Sequence, residues 1–175
     1  MRKAMSELWD LIDVHRDLTG ETWERGSHAP IPQGRYHVIV SIWTVTLDGR
    51  ILITRRHPNK SFGGMWENTG GAVISGETSL QAALRELREE TGLIPGKRQL
   101  YFLGDVWHPG YVVDTYMYAA DIELEGLDLQ EDEVIDARIV YPEEIDELHE
   151  LGEIVPSVYK SFCCYKNDIK SVLGL

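Results

Sequence analysis

Basic residues are scarce in this chain: 17 lysines and arginines stand against 29 aspartates and glutamates, a formal charge of −12. That imbalance argues against non-specific binding to a nucleic-acid polymer or an anionic membrane. It leaves room for a small anionic substrate, because a bound divalent cation reverses the sign of the potential locally. Long apolar runs are missing too, and none approaches the ~20 residues of a membrane span. At the start, Met1-Arg2-Lys3 leads into Ala4-Met5-Ser6-Glu7 rather than the apolar core of a signal peptide. Only two cysteines occur, Cys163 and Cys164, and their adjacency suits no ordinary structural disulfide. They are expected in the core face of a helix, and a reducing, cytoplasmic setting fits such a chain. There is no internal repeat or low-complexity tract.

A chain of 175 residues suits one domain, 1–175, with a full hydrophobic core. Residues 1–36 read as a loop-rich extension, with Gly20, Gly26, Pro30, Pro32 and Gly34 after a short apolar-containing stretch at 8–14. Residues 37–155 read as the core and 156–175 as a C-terminal helix. Strands are expected at 37–47 and 51–56, joined by a tight turn at Asp48-Gly49. Further strands are expected at 99–107 and 111–122, joined through His108-Pro109-Gly110, and near 137–141. Helices are expected at about 142–151 and 156–172, the latter with Val158, Phe162, Tyr165 and Ile169 near one face. This helix either covers the core or faces a partner, which leaves a homodimer open. The order of strands, helix, strands and helices predicts an α+β arrangement, a mixed sheet between helical layers.

The densest chemistry lies between Gly71 and Leu93. Thr78 followed by Gln81 is a capping-box signal, and Leu80, Ala83, Leu84 and Leu87 form an apolar stripe at helical spacing. Gly92 falls where a helix C′ residue belongs. Glu86, Glu89 and Glu90 stand at i, i+3 and i+4, so their carboxylates share one face. Three like charges that close repel, and Mg²⁺ or Mn²⁺ with oxygen ligands would neutralise them. A charged helix face is, however, usually only solvated, and Arg85 pairing with Glu89 would relieve part of the repulsion without metal.

The wider pattern decides between these readings. Gly71, Glu77, Arg85-Glu86-Leu87, Glu89-Glu90 and Gly92-Leu93 recur at fixed spacing, a match expected by chance on the order of once in 10⁸ starting points. The stretch resembles the Nudix box, complete at every defining position. The resemblance implies an alpha/beta/alpha sandwich with a mixed β-sheet and a metal-dependent hydrolase that cleaves the pyrophosphate linkage of a nucleoside diphosphate linked to another group. It implies that Glu86, Glu89 and Glu90 hold Mg²⁺ or Mn²⁺, with Glu89 or Glu90 also accepting a water proton. Arg85 would orient the glutamates, and Glu77 would support the loop–helix geometry. Gly70 and Gly71 would let backbone approach a ligand closely.

Outside the box, Arg55, Arg56 and Lys60 are candidates to hold substrate phosphates, with exposed strand-end charges as the plain alternative. Trp66 reads as packing, and Glu67 as a further possible ligand. In the acidic segment 129–136, Glu133 is favoured over Glu131 as an added metal ligand; otherwise the segment is a solvated loop. His37 reads as structural, whereas His108 is a candidate to line the pocket.

Residues 8–140 also resemble the isopentenyl-diphosphate isomerase-like branch of the same fold, through Trp9–Asp13, Arg25-Gly26, Tyr36-His37 and Ile51–Arg56. Those isomerases carry a catalytic cysteine ahead of their box and a histidine after it. Here the segments are Asn68-Thr69-Gly70-Gly71 and Ala72-Val73-Ile74. Without the protonating acid, hydrolysis is the better expectation. A nucleotide-sensing module without catalysis is the other alternative, which a degraded box would favour.

Overall fold

The computed structural model describes residues 7–174, apart from the side chains at 172 and 173. The expectation for the first residues of the chain lies outside this range. Among the described residues, nine strands and three α-helices follow one another, with two short 3₁₀ turns between them. The strands are β1 (Leu8–Ile12), β2 (Leu18–Glu24), β3 (His37–Val45), β4 (Ile51–Arg56), β5 (Trp66–Glu67), β6 (Thr69–Ala72), β7 (Leu100–His108), β8 (Tyr111–Ala119) and β9 (Val134–Val140). The helices are α1 (Ser79–Thr91), α2 (Pro142–Glu150) and α3 (Pro156–Leu173). None of the described helices is long and apolar enough to cross a membrane.

A mixed sheet of seven strands forms the centre, in the order β5-β4-β3-β8-β7 with β6 on β3 and β9 on β4. The β3–β8 pair is parallel, from His37↔Tyr111 to Val45↔Ala119, and its other pairs are antiparallel. Because successive side chains alternate between faces, β3 builds two cores. Val38, Val40 and Ile42 pack with Ala82, Ala83 and Leu87 of α1. Trp43 and Val45 pack with Ile145, Leu148, Phe162, Tyr165 and Ile169 of α2 and α3. The expected alpha/beta/alpha layering is present, and of the two placements open to the α3 stripe it takes the one that covers the core. Each fully buried large apolar side chain contributes roughly 1.5–3 kcal/mol.

Strand β3 changes partner along its length, and this positions the site. Residues 39–42 pair with β6, whereas Thr44 and Val45 pair with β4. The chain crosses this split at Glu67-Asn68-Thr69, leaving β4 through β5 and joining β3 through β6. Helix α1 starts at the expected capping box, with Gln81 N–H donating to Thr78 Oγ1 at 3.3 Å and Thr78 N–H donating to Gln81 Oε1 at 2.8 Å. It stops at Gly92, whose φ of 75° carries its N–H back to the carbonyl of Arg88.

Two expectations are corrected. The 1–36 region is not merely loop-rich, since β1 and β2 pair as an antiparallel hairpin through Leu8↔Glu24, Trp9↔Trp23 and Asp10↔Thr22. Its turn is held by Asp13, whose carboxylate accepts from the N–H groups of His15 and Asp17. The hairpin is short, largely exposed and irregular between Asp10 and Ile12, so apolar alternation is absent. Strand β5, two residues long, and the glycine-rich β6 are likewise too short to give a periodic signal. Finally, Cys163 and Cys164 are exposed free thiols, because the buried stripe of α3 runs through Phe162, Tyr165 and Ile169 and passes them by.

Candidate active site

Beyond the cover of α3, the sheet face that carries Trp43 and Met117 continues as the floor of an open cleft of about 800 Å³. His37, Ile39 and Ser41 of β3 and Tyr111, Val113 and Thr115 of β8 line it, in register across the parallel pair. One wall is acidic and comes from β5 and α1, with Glu67, Glu86, Glu89 and Glu90. Residues Ser157, Lys160, Ser161 and Cys164 of α3 close one side, and Glu7, Trp9 and Arg25 of the N-terminal segment another.

Arg85 organises the acidic wall. Its Nε donates to Glu77 Oε1 at 2.8 Å and its Nη2 to Glu77 Oε2 at 3.0 Å. Nη2 also donates to the carbonyl of Ala72 at 3.0 Å, and Nη1 donates to Glu86 Oε1 at 2.7 Å and Glu89 Oε2 at 3.1 Å. All five N–H donors of the guanidinium are thereby used, which raises its proton affinity further and fixes it as a permanent cation. Glu77 Oε2 also accepts from the N–H of Ile74, at 3.3 Å, and so ties the loop to the helix. Arg85 and Glu77 thus connect β6, the loop and α1, and Arg85 bonds two carboxylates of the helix.

Glu90 is different in kind. Only 3 % of it is exposed, and its Oε2 has no hydrogen-bond partner among the described residues. Burial, reinforced by the charges of Glu67 and Glu86, pushes its pKa well above the usual carboxylate range. Glu67 is also buried; its Oε2 pairs with Arg56, but its Oε1 is orphaned. Burial raises the pKa of Glu67 as well, against the opposing pull of Arg56. Glu86 is raised by burial too, partly offset by Arg85. Such orphaned, mutually repelling oxygens are what a hard divalent cation satisfies. Among the described residues no three His, Cys, Asp or Glu side chains yet form a group able to hold a metal ion.

The other expected residues separate. Gly71 makes room for Glu86, since a Cβ there would land on that carboxylate, with Oε2 at 2.7 Å. Gly70 makes room for β3, since its Cβ would meet the Val40 carbonyl oxygen at 2.5 Å. Both glycines line the cleft, but their need for lacking a side chain is internal packing. Arg56 lines the cleft and bonds Glu67 and the carbonyl of Ser61. Arg55 does not line it: its Nε donates to the Gly64 carbonyl and its guanidinium lies 5.7 Å from the ring centre of Trp66. Glu133 lines the cleft and pairs with Lys60, whereas Glu131 does not line it. His108 lines the cleft, stacked on Tyr111 at 4.6 Å. The sequence singled out none of Glu7, Trp9, Arg25 and Lys160 as cleft residues, although all four line it. His37, read as structural, is buried and stacked 4.2 Å from Trp9, and burial pushes its pKa down to about 4.

The chain matches the family model of the NUDIX domain over residues 35–162. An uncharacterised Nudix hydrolase of Listeria monocytogenes is 35% identical to it over 156 residues, covering 86% of this chain and 89% of the relative. A second one, of Listeria innocua, is 32% identical over 152 residues with the same coverage. The crystal structure of a Deinococcus radiodurans protein superposes with a TM-score of 0.69 over 85% of this chain and 92% of that one, and at 22% identity it speaks for the fold. The chain belongs to the Nudix family, and it is a Nudix pyrophosphohydrolase.

Proposed function

We propose that this enzyme hydrolyses the pyrophosphate linkage of a nucleoside diphosphate joined to another group, and that it does so with Mg²⁺ or Mn²⁺. The observation that carries the reading is the orphaned oxygen of Glu90, buried beside Glu67 and Glu86 at the edge of an open cleft. Glu86, Glu89 and Glu90 would hold the cation, with Glu133 a further ligand across from them. When bound, the cation supplies Lewis-acid stabilisation of phosphate charge and lowers the pKa of water.

The chain's own groups account for the remaining work. Arg85 keeps Glu86 and Glu89 turned to the cleft, and Glu77 keeps Arg85 in place. Glu89 is the most accessible of the three, its side chain 42% exposed, and a single bond to Arg85 holds it. It takes the proton of the attacking water as the new P–O bond forms and the bridging P–O bond breaks. The leaving phosphate carries away the electron pair of that bond. Arg56 and Lys60 add positive charge beside the acidic wall. Free thiols at Cys163 and Cys164 are compatible with a cytoplasmic setting, which belongs to the same proposal.

A screen with Mg²⁺ and Mn²⁺ that follows release of the phosphate-monoester products by chromatography tests this reading. It spans nucleoside diphosphates and triphosphates, nucleotide sugars, ADP-ribose, dinucleoside polyphosphates and isoprenyl diphosphates, with Glu90→Gln alongside. Metal-dependent release that falls at least ~1,000-fold in the variant is expected. Turnover that survives both chelator and Glu90→Gln refutes it. Tight nucleotide binding without release replaces it with a sensor.

A further inference from the structure

The cations on the acidic side of the cleft are already committed. Arg85 is saturated by Glu77, Glu86, Glu89 and Ala72, Arg56 bonds Glu67, and Lys60 pairs with Glu133. All five donors of Arg85 are therefore used, while Arg56 and Lys60 each spend part of theirs on the acidic wall. Two other basic residues line the cleft, Lys160 on α3 and Arg25 just past β2.

Arg25 is the one the fold holds in place. Its backbone N–H donates to the Glu7 carbonyl at 2.9 Å, and its Nη1 donates to Glu7 Oε2 at 2.7 Å. The other oxygen of Glu7 accepts from the indole N–H of Trp9, also at 2.7 Å, so one carboxylate fixes both cleft residues. The Arg25 side chain nevertheless remains 64% exposed. Among the described residues its only side-chain bond is the one to Glu7, which leaves donors of the guanidinium fork unused. It lines the same cleft as Glu86 and Glu133.

The hairpin that carries Arg25 is anchored at both ends. At its turn, Arg16 sits at a φ of 67°, a conformation rare for a residue with a side chain. From there it donates to both oxygens of Asp114, at 2.9 and 2.7 Å, and to Asp105 at 2.9 Å. Asp114 lies on β8 and is 1% exposed, so the pair is a buried tie rather than a loose surface contact. Near the base, Asp10 accepts from Ser75 Oγ at 2.6 Å and from the N–H of Gly76 at 2.8 Å, while Ser75 N–H donates to the Leu8 carbonyl. The hairpin is thus bound both to the sheet and to the loop that enters α1.

We propose that Arg25 is a substrate-binding residue that grips the phosphate remote from the carboxylate wall, and that Arg16 and Asp114 are the positioning residues that hold it there. A guanidinium is suited to that task because its fork matches phosphate oxygens two at a time. The proposal rests on the diphosphate reading above. It adds that this N-terminal hairpin, and not only the box, selects for a diphosphate of the right span.

The test uses full-length protein and the non-hydrolysable probe α,β-methylene-ADP with Mg²⁺, titrated by calorimetry. Arg25→Gln is expected to weaken binding about ten- to a hundred-fold, and Arg25→Lys, which keeps charge without the fork, by less. On a substrate that the wild type turns over, Arg25→Gln raises KM and leaves kcat within a few-fold. Asp114→Asn shifts KM in the same direction, which a purely structural loss of folded protein would not do. Equal affinity of wild type and Arg25→Gln, within two-fold, overturns the inference and leaves the hydrolase reading standing. So does a larger loss in Lys160→Met than in Arg25→Gln. A wild type that neither binds nor hydrolyses any diphosphate overturns the diphosphate reading itself, and this inference with it.

Discussion

Alanine at Gly70 and alanine at Gly71 should have opposite consequences, although the residues are neighbours on one strand. Neither lies in the left-handed region, so backbone strain enters neither case. At Gly70 the new Cβ meets the carbonyl oxygen of Val40 at 2.5 Å and Ser41 Cα at 3.4 Å, both backbone atoms of β3. Nothing there yields without parting β6 from β3, and overpacking of that kind costs about 1–3 kcal/mol. For a chain of this size each kcal/mol shifts Tm by roughly 2–4 °C, so Gly70→Ala should lower Tm by roughly 2–12 °C. At Gly71 the obstruction is the carboxylate of Glu86, the free end of a flexible side chain. It swings aside, losing its 2.7 Å bond to Arg85 but also escaping the burial that raises its pKa. With the ~0.4–1 kcal/mol that Gly→Ala gains through the unfolded state, stability should change by less than about 1 kcal/mol. Activity should not be spared, since a displacement of about 1 Å at a catalytic group is worth ~100-fold in rate. Thermal unfolding and metal-dependent release of phosphate-monoester products, measured on both variants, separate the two effects. Full activity in Gly71→Ala, or a Tm loss equal to that of Gly70→Ala, would refute the reasoning.

Arg85→Lys keeps the charge but replaces five fixed donors with a point charge, so kcat should fall by ~100-fold while KM changes little; wild-type kcat would remove Arg85 from its positioning role. Glu90 has a raised pKa, so between the ordinary carboxylate value and its own the folded state binds more protons than the unfolded one. Metal-free protein should therefore lose stability as pH rises through that window, and Glu90→Gln should flatten the profile of Tm against pH measured in chelator. Parallel profiles would contradict the buried-charge account. Adding Mg²⁺ at the high-pH end should raise Tm in the wild type and much less in Glu90→Gln. His37 has the opposite sign: its pKa falls from 6.5 to about 4, so the folded state binds fewer protons between those values. Its contribution, about 3 kcal/mol from 2.5 units at ~1.36 kcal/mol each, is present above pH 6.5 and lost as pH falls toward 4. His37→Asn should remove that acid-side slope, and an unchanged slope would show that the imidazole is not held neutral.

How much was legible in the sequence follows from how local each signal is. Helix α1 is legible because its cap, its stripe and its terminal glycine all lie within the segment they define. Arg55 and Arg56 show the limit. In β4 the residues Ile51, Leu52, Ile53 and Thr54 are all buried, so no alternation tells which face is which. The sequence can nominate the pair, but only the fold shows that Arg56 turns to the cleft while Arg55 packs on Trp66. Arg25 is less legible still. It reaches the cleft through a hairpin whose anchors, Arg16 to Asp114 and Asp10 to Ser75, span long stretches of chain.

Glu90 is the instructive intermediate case. Counting from Ala83, the buried face of α1 recurs at Leu87 and then at Glu90 and Thr91, so the carboxylate continues the apolar stripe. Glu89, one residue away, points outward. A solvated acidic face would have placed all three glutamates opposite the stripe, at no cost. Placing one of them in line with Ala83 and Leu87 buries an ion beside two others, and an unpaired buried charge is strongly destabilising unless something neutralises it. The residue at 90 therefore works against the fold of the metal-free chain, which corrects the reading of all three glutamates as one face beside the stripe. Only the burial and the unpartnered oxygen show the size of that effect. A glutamate in register with a helix's apolar stripe, next to others that are not, is thus a stronger pointer to a cation-binding carboxylate than the acidic cluster as a whole.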